Sequence, residues 1–374
     1  MQIAFTAPMK PLDDPVPSGD RTMGRLIVRA LQERGHRVET ASRFRAWRRD
    51  GGLAQQQDLE RAARADAERI AQDWRRRGQV PDLFLTYHLY HKAPDWIGPA
   101  LADAFDLPYV VVEASRAPKR RTGPWAHGFA AADAALARAD MVVALHRADL
   151  QCLTPAVAPE RLAVCPPFLD ATPFFEAARV PRAKGEPVRL LAVGMMRDGD
   201  KAASYRLLAE ALDRLGDRDW TLTIVGDGPA RAGIEPLFPP ARTTFAGALP
   251  GEAMPALYAR HDVLVWPAIR EAFGFAFLEA QASGLAVVGG DAFGVPDVVA
   301  DGETGLLSRE GDAAGFTANL RRLITDAALL DRLSSAARPY IARRHALNAG
   351  AERLDTLLDA ALRNHGGQAT DPPS

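Results

Sequence analysis

Short apolar runs alternate along the chain with longer stretches whose apolar positions recur every three or four residues. This pattern predicts strands near 2–6, 37–41, 83–87, 109–113, 141–145 and 162–166, with helices near 20–34, 52–77, 95–105, 124–138 and 147–154 between them. Strands separated by amphipathic helices give a parallel sheet covered on both faces, a doubly wound α/β domain. A second series of strands follows at Val188–Val193, Thr221–Val225, Thr243–Phe245, Val263–Trp266, Ala286–Val288 and Gly305–Leu307. The organisation expected is therefore a first domain over 1–170, a proline-containing linker over 171–187 and a second domain over 188–344. A terminal helix over 345–365 carries an apolar stripe of Leu354, Leu357, Leu358, Ala361 and Leu362, and a polar tail, 366–374, is expected to be disordered.

Composition narrows the function classes. The 374 residues suffice for two sizeable cores, and the net charge of −1 argues against nucleic acid as a partner, since neutralising phosphates needs a basic excess. Two cysteines, Cys152 and Cys165, are too few for a disulfide framework and read as reduced thiols of a cytoplasmic protein. The first strand starts without a signal-peptide pattern, and no apolar run reaches the roughly 20 residues of a membrane span. Two basic runs, Arg43–Arg49 and Lys119–Arg121, read first as solvated surface. Their second reading is peripheral contact with anionic lipid at the inner face of a membrane, or with an anionic acceptor.

The densest chemistry lies after Val263–Trp266. Pro267 breaks the strand, Gly274 lets the backbone approach a ligand, and a helix near Phe275 would aim its unpaired N–H groups at an anion such as a diphosphate. Phe273 and Gly274 are the backbone donors in this reading. Glu271 precedes the helix and Glu279 lies within it, and carriers of negative charge so placed suit sugar or ribose hydroxyls rather than phosphate. An ordinary buried helix with a solvated acid is the competing reading, but Glu279 sits among Phe275, Phe277, Leu278 and Ala280, where an unpartnered charge is costly.

Glu271 to Glu279 resembles the E-x7-E motif of the retaining family 4 glycosyltransferases (glycosyl transferases group 1). Ala282–Val288, Phe293–Val299 and Asp301–Leu307 follow in that family's order. The resemblance implies the GT-B fold, two Rossmann-like domains facing each other across a cleft, with the terminal helix returning to the first domain. It also implies a nucleotide-sugar donor on the second domain, an acceptor on the first, and no cofactor beyond the donor. Gly19, in Pro17–Arg25, falls where the family's glycine-rich loop faces diphosphate and acceptor, although one glycine stands where a pair is common.

His88 and His91, at the end of the strand near 83–87, are both candidates to handle acceptor hydroxyls, with His127 a weaker one. Glu113 to Ser115 departs from the family, which often has a histidine there. In the second domain Arg197 and Lys201 read as a diphosphate clamp, Met195 standing where relatives have arginine, and Gly247 is placed near the base. Asp198-Gly199-Asp200 lies between these two cations, so no metal is expected. The function expected is retaining, metal-independent sugar transfer from a nucleotide sugar to a glycan, lipid-linked or small-molecule acceptor, with Glu271, His88 and His91 nearest the chemistry. A non-catalytic sugar-nucleotide sensor and a sugar-nucleotide 2-epimerase are the rivals.

Overall fold

The computed structural model describes residues 1–15, 18–216 and 218–368. It divides into two compact units, one of residues 1–166 with the chain from Gly350 onward, the other Pro167–Ala349. The first holds β1 (Gln2–Thr6), β2 (Arg37–Ser42), β3 (Leu83–Leu89), β4 (Tyr109–Ala114), β5 (Met141–Ala144) and β6 (Leu162–Val164), in the spatial order β2-β1-β3-β4-β5-β6. The second holds β7 (Val188–Val193), β8 (Trp220–Val225), β9 (Thr243–Gly247), β10 (Val263–Trp266), β11 (Ala286–Asp291) and β12 (Gly305–Arg309), in the order β12-β11-β10-β7-β8-β9. Each pair is parallel, and the interior strands are buried on both faces, which is why Val110–Val112 and Val263–Trp266 read as unbroken apolar runs. Both sheets are Rossmann-like, as expected.

The two strand orders fix where ligands can sit. In a doubly wound sheet the crevice opens beyond the carboxyl ends of the two strands where the order reverses. That point lies between β1 and β3 in the first unit and between β7 and β10 in the second. Backbone strain gathers at the same edges. Among the described residues six non-glycine residues have positive φ, and five follow or end a strand: His88 (62°), Glu113 (60°), Ala268 (59°), Arg270 (49°) and Phe293 (42°). Left-handed backbone at such side chains costs of order 1–3 kcal/mol each and persists where surrounding structure imposes it, typically at functional sites.

The start of the expected linker is packed. Thr172–Glu176 is helical, and Phe174 is buried in an edge-to-face contact with Tyr258 at 5.9 Å. The proline at the first turn of this helix starts it rather than breaking it. The terminal helix, Leu347–Gln368, begins at the end of the second unit and carries the chain into the first. There Asp355 accepts from Arg34 at 2.9 Å and pairs with His36 at 2.8 Å, and Asn364 Nδ2 donates to Asp140 O at 2.9 Å. Residues 366–368 of the expected disordered tail continue this helix, while 369–374 lie outside the described residues. At its other end the second unit closes on itself. Leu169 N donates to His345 O at 2.9 Å, and His345 Nδ1 lies 2.7 Å from Pro167 O.

Candidate functional site

In the second unit the loops after β7 and β10 meet at the reversal of strand order. The first loop is held by backbone packing: a Cβ on Gly226 would lie 1.9 Å from Gly194 O, and one on Gly228 would lie 2.4 Å from Met196 O. The Gly226-Asp227-Gly228 turn therefore sets the path of residues 194–197, and Met196 N donates to Asp227 O at 2.9 Å. Tyr205 OH donates to Gly194 O at 2.6 Å and stands edge-on to Trp266 at 5.0 Å. The β10 loop is anchored by Ile269 N donating to Ser204 Oγ at 3.0 Å and Arg270 N donating to Glu310 Oε1 at 2.7 Å.

Into this frame the sequence delivers Lys201 and Glu271, which form an ion pair. Trp266 Nε1 donates to the same Glu271 oxygen at 3.2 Å, and Lys201 Nζ lies 5.3 Å from the Trp266 ring centroid, within cation–π range. Arg197 is exposed and makes no ion pair with a described residue. Gly274 (φ 67°) is the N-cap of the helix Phe275–Ala282, whose start no side chain caps. A Cβ on Gly274 would meet the Phe277 ring at 3.0 Å, so this position needs glycine for space as well as conformation. Phe273 is buried against Phe275.

Glu279 is part-buried on that helix and accepts from Tyr258 OH at 2.8 Å. Burial raises its pKa, the Tyr258 hydrogen bond acting against the rise, while burial and the Glu279 charge push the Tyr258 phenol well above its ordinary value. Gly247 (φ 70°) ends β9 and accepts from Gly226 N at 2.8 Å. Asp200 of the Asp-Gly-Asp tripeptide lies 3.6 Å from Arg270.

In the first unit the corresponding reversal gathers His88, Asp20 and Glu113. Ser18 caps the helix Gly19–Glu33 by accepting from Arg21 N at 3.3 Å, so Gly19 is its first residue and Asp20 turns toward His88. His88 Nδ1 lies 3.4 Å from Asp20 Oδ1 and 3.5 Å from Glu113 Oε2. Burial pushes the imidazolium down, but the Glu113, Asp20 and Asp149 carboxylates outweigh it and raise His88 to about 9. Burial raises Glu113, with His88 opposing, and lifts Asp149 to about 6. Asp20 is lowered on balance, since the hydrogen bond and charge of His88 exceed the effect of burial. These three side chains each offer a ligand atom, all within 4.8 Å of one another, and are the group among the described residues able to converge on a metal ion. The Tyr87 hydroxyl beside them is buried, and burial followed by the Glu113 charge raises its pKa well above the ordinary value.

The two histidines separate. His91 stands edge-on to Trp125 at 5.6 Å, and burial, then the charges of Arg120 and Lys92, push it down to about 4, so it is neutral where His88 is charged. His127, on the helix Ala126–Arg138, has Nε2 2.7 Å from Glu60 Oε2 on the helix Leu53–Arg77, a contact that joins the two helices. Trp266, Tyr258, Asp20 and Asp149 act on the candidate residues through contact or charge, and the sequence pattern does not single them out. Only the strand-end position of Trp266 offered a signal, because the others lie far in sequence from the groups they touch.

The family model described as Glycosyl transferases group 1 matches residues 187–326, the stretch that contains β7 to β12 and every residue of the Lys201–Glu271 cluster. Over this stretch the chain is similar to the glycosyl transferases group 1. Sulfoquinovosyl transferase SQD2 of Arabidopsis thaliana is 34% identical over 163 residues, 43% of this chain and 31% of that protein. D-inositol 3-phosphate glycosyltransferase of Nocardia farcinica is 29% identical over 226 residues, 56% of this chain and 50% of that protein. The chain thus spans about a third to a half of the length of these curated relatives. The fold likeness runs further. Sucrose-phosphate synthase from Thermosynechococcus elongatus superposes with a TM-score of 0.73 at 18% identity, covering 97% of this chain and 99% of that one. Anabaena HepE, solved in complex with UDP, gives 0.69 at 16% identity over 96% and 100%. Within the group 1 stretch, Glu271 and Glu279 keep the spacing of the family motif, one before the helix and one inside it.

Proposed function

We propose that the chain is a retaining glycosyltransferase that moves a sugar from a nucleotide-sugar donor to a glycan, lipid-linked or small-molecule acceptor, acting without a metal or further cofactor. The observation that carries this reading is the Lys201–Glu271–Trp266 cluster beside the uncapped helix start at Gly274, at the reversal of strand order. The transferases among the curated relatives and the UDP held by Anabaena HepE support it. In this reading the second unit holds the donor. Lys201, Arg197 and the backbone N–H groups of Phe273 and Gly274 meet the diphosphate, Glu279 accepts from the ribose, Gly247 faces the base, and Glu271 lies beside the transferred sugar. The departing diphosphate is stabilised by these fixed donors and takes the acceptor proton, so no side-chain nucleophile is needed. His88 and Gly19 belong to the acceptor side, in the first unit. Among the described residues no helix is long and apolar enough to cross a membrane, and the place of action proposed is the cytoplasm, including the inner face of a membrane.

A panel of nucleoside diphosphates in a thermal-shift assay tests the donor assignment, with the matching base expected to stabilise by about 2.7 kcal/mol at a hundredfold excess over Kd. A panel in which no base shifts the melt would remove the donor site. Acceptor-dependent release of the nucleoside diphosphate then separates transfer from binding alone, and free sugar interconversion would mark the epimerase.

Activity should survive EDTA, because cations and helix N–H groups face the leaving group. Loss restored by manganese or magnesium would overturn the clamp and direct attention to Asp20, His88 and Glu113. Arg197→Ala should weaken nucleoside diphosphate binding by about 1.5–3 kcal/mol, the range for a hydrogen bond to a charged group. Wild-type affinity in a calorimetric titration would take Arg197 out of the clamp.

A further inference from the structure

The two basic runs of the first unit, far apart in sequence, converge on one surface around His91. Arg48 N donates to Lys92 O at 3.1 Å, and Lys92 Nζ reaches Arg49 O at 3.4 Å. Lys92 Nζ also lies 5.2 Å from the centroid of Trp125. Gly51 brings the first run against the segment that follows the second, since a Cβ there would meet Pro124 O and Trp125 Cε2 at 2.9 Å. Arg120, in the turn Pro118–Arg120, is near enough for its charge to act on His91.

These cations are not balanced. Arg48, Arg49, Lys92 and Arg120 make no ion pair with a described residue, whereas the neighbouring helix Leu53–Arg77 pairs Arg61, Arg64, Arg69 and Arg76 with acids on its own surface. Two nitrogens of these residues, Arg48 Nε and His91 Nε2, are buried without a partner. A buried polar nitrogen left unpaired costs about 1–3 kcal/mol, so Arg48 Nε, and His91 Nε2 in the tautomer that carries its proton there, are donors that an anion beside these cations would satisfy. The surface is also continuous with the acceptor side. A ladder of rings runs from His88 to Tyr90 at 5.5 Å, Tyr90 to His91 at 5.3 Å, and His91 to Trp125 at 5.6 Å. Its His88 end is lined by Asp20 and Glu113 and its His91 end by cations.

We propose that Arg48, Lys92, Arg120 and His91 form a subsite for a phosphoryl group carried by the acceptor, which would reach from the cationic end toward His88. This rests on the reading of the first unit as the acceptor side. A phosphoryl group on a soluble sugar and one in an anionic phospholipid headgroup present the same oxygens, so both sources are tested. Calorimetric titration of the full chain with glucose 6-phosphate, against glucose, covers the first. Flotation with phosphatidylglycerol vesicles, against phosphatidylcholine, covers the second.

Binding of at least one phosphoryl ligand is expected, weakening as salt rises and falling about tenfold in each of Lys92→Gln and Arg120→Gln. Arg61→Gln, which removes a paired surface charge, should leave it unchanged. Glucose 6-phosphate binding assigns the site to a soluble acceptor, and vesicle binding lost in the same variants assigns it to a lipid. The proposal falls if neither ligand binds, or if all three variants bind alike, which would mark diffuse surface attraction. Nucleoside diphosphate binding, measured in the same variants, should not change. If no nucleoside diphosphate binds while glucose 6-phosphate still requires Arg120, the transferase reading fails and the anion subsite stands.

Discussion

Glu271→Gln is expected to lower kcat/KM by about 10²- to 10³-fold, the loss typical when one preorganised charge-stabilising group is removed. The bare nucleoside diphosphate should bind this variant as well as wild type, or more tightly. The reason is the Lys201–Glu271 ion pair: with the carboxylate gone, Lys201 keeps its charge and is released toward the diphosphate. Glu279→Gln should behave differently. Its carboxylate touches only Tyr258 among the groups described, and its remaining acceptor capacity is what a ribose would use. Removing that charge should weaken donor and bare diphosphate alike, by about 1.5–3 kcal/mol. Titration calorimetry with the diphosphate, beside steady-state kinetics with the donor, makes the comparison. Equal loss of diphosphate affinity in both variants would place Glu271 on the nucleotide side and invert the proposed orientation.

His88→Ala should destabilise the first unit by about 3 kcal/mol, because it leaves Asp20 and Glu113 facing each other without the cation between them. The pH dependence gives the effect its signature. His88 is raised from 6.5 to about 9 in the folded protein, so its contribution to stability is complete below pH 6.5 and is lost as pH rises through about 9. The melting difference between wild type and His88→Gln should therefore shrink across that window. Curves that stay parallel from pH 6 to pH 9.5 would show that His88 is not held as a cation.

The interior strands were legible because they are short apolar runs bounded by turn residues, and the sheets bury both of their faces. Glu271, Glu279 and Gly274 were legible because one loop and one helix carry all three, so spacing alone fixed their relative positions. His88 was found but not separated from His91. What separates them is the charge supplied by Asp20 and Glu113 on one side and by Lys92 and Arg120 on the other, from elements remote in sequence. The same remoteness hid Tyr258 from Glu279 and the first basic run from the segment that follows the second. The helix Thr172–Glu176 was hidden for another reason: proline at the first turn of a short helix has the composition of a linker.

The hydrogen bonds that join Pro167 and Leu169 to His345 place the entry and exit of the second unit side by side. The polypeptide of the first unit is thus interrupted by a segment whose two ends coincide, the arrangement of a cassette inserted into a host. Splicing such a segment into another host needs only two neighbouring junctions. If the second unit holds the donor as proposed, grafting residues 167–349 of this chain into a relative with a different acceptor is expected to transplant donor choice and leave acceptor choice behind.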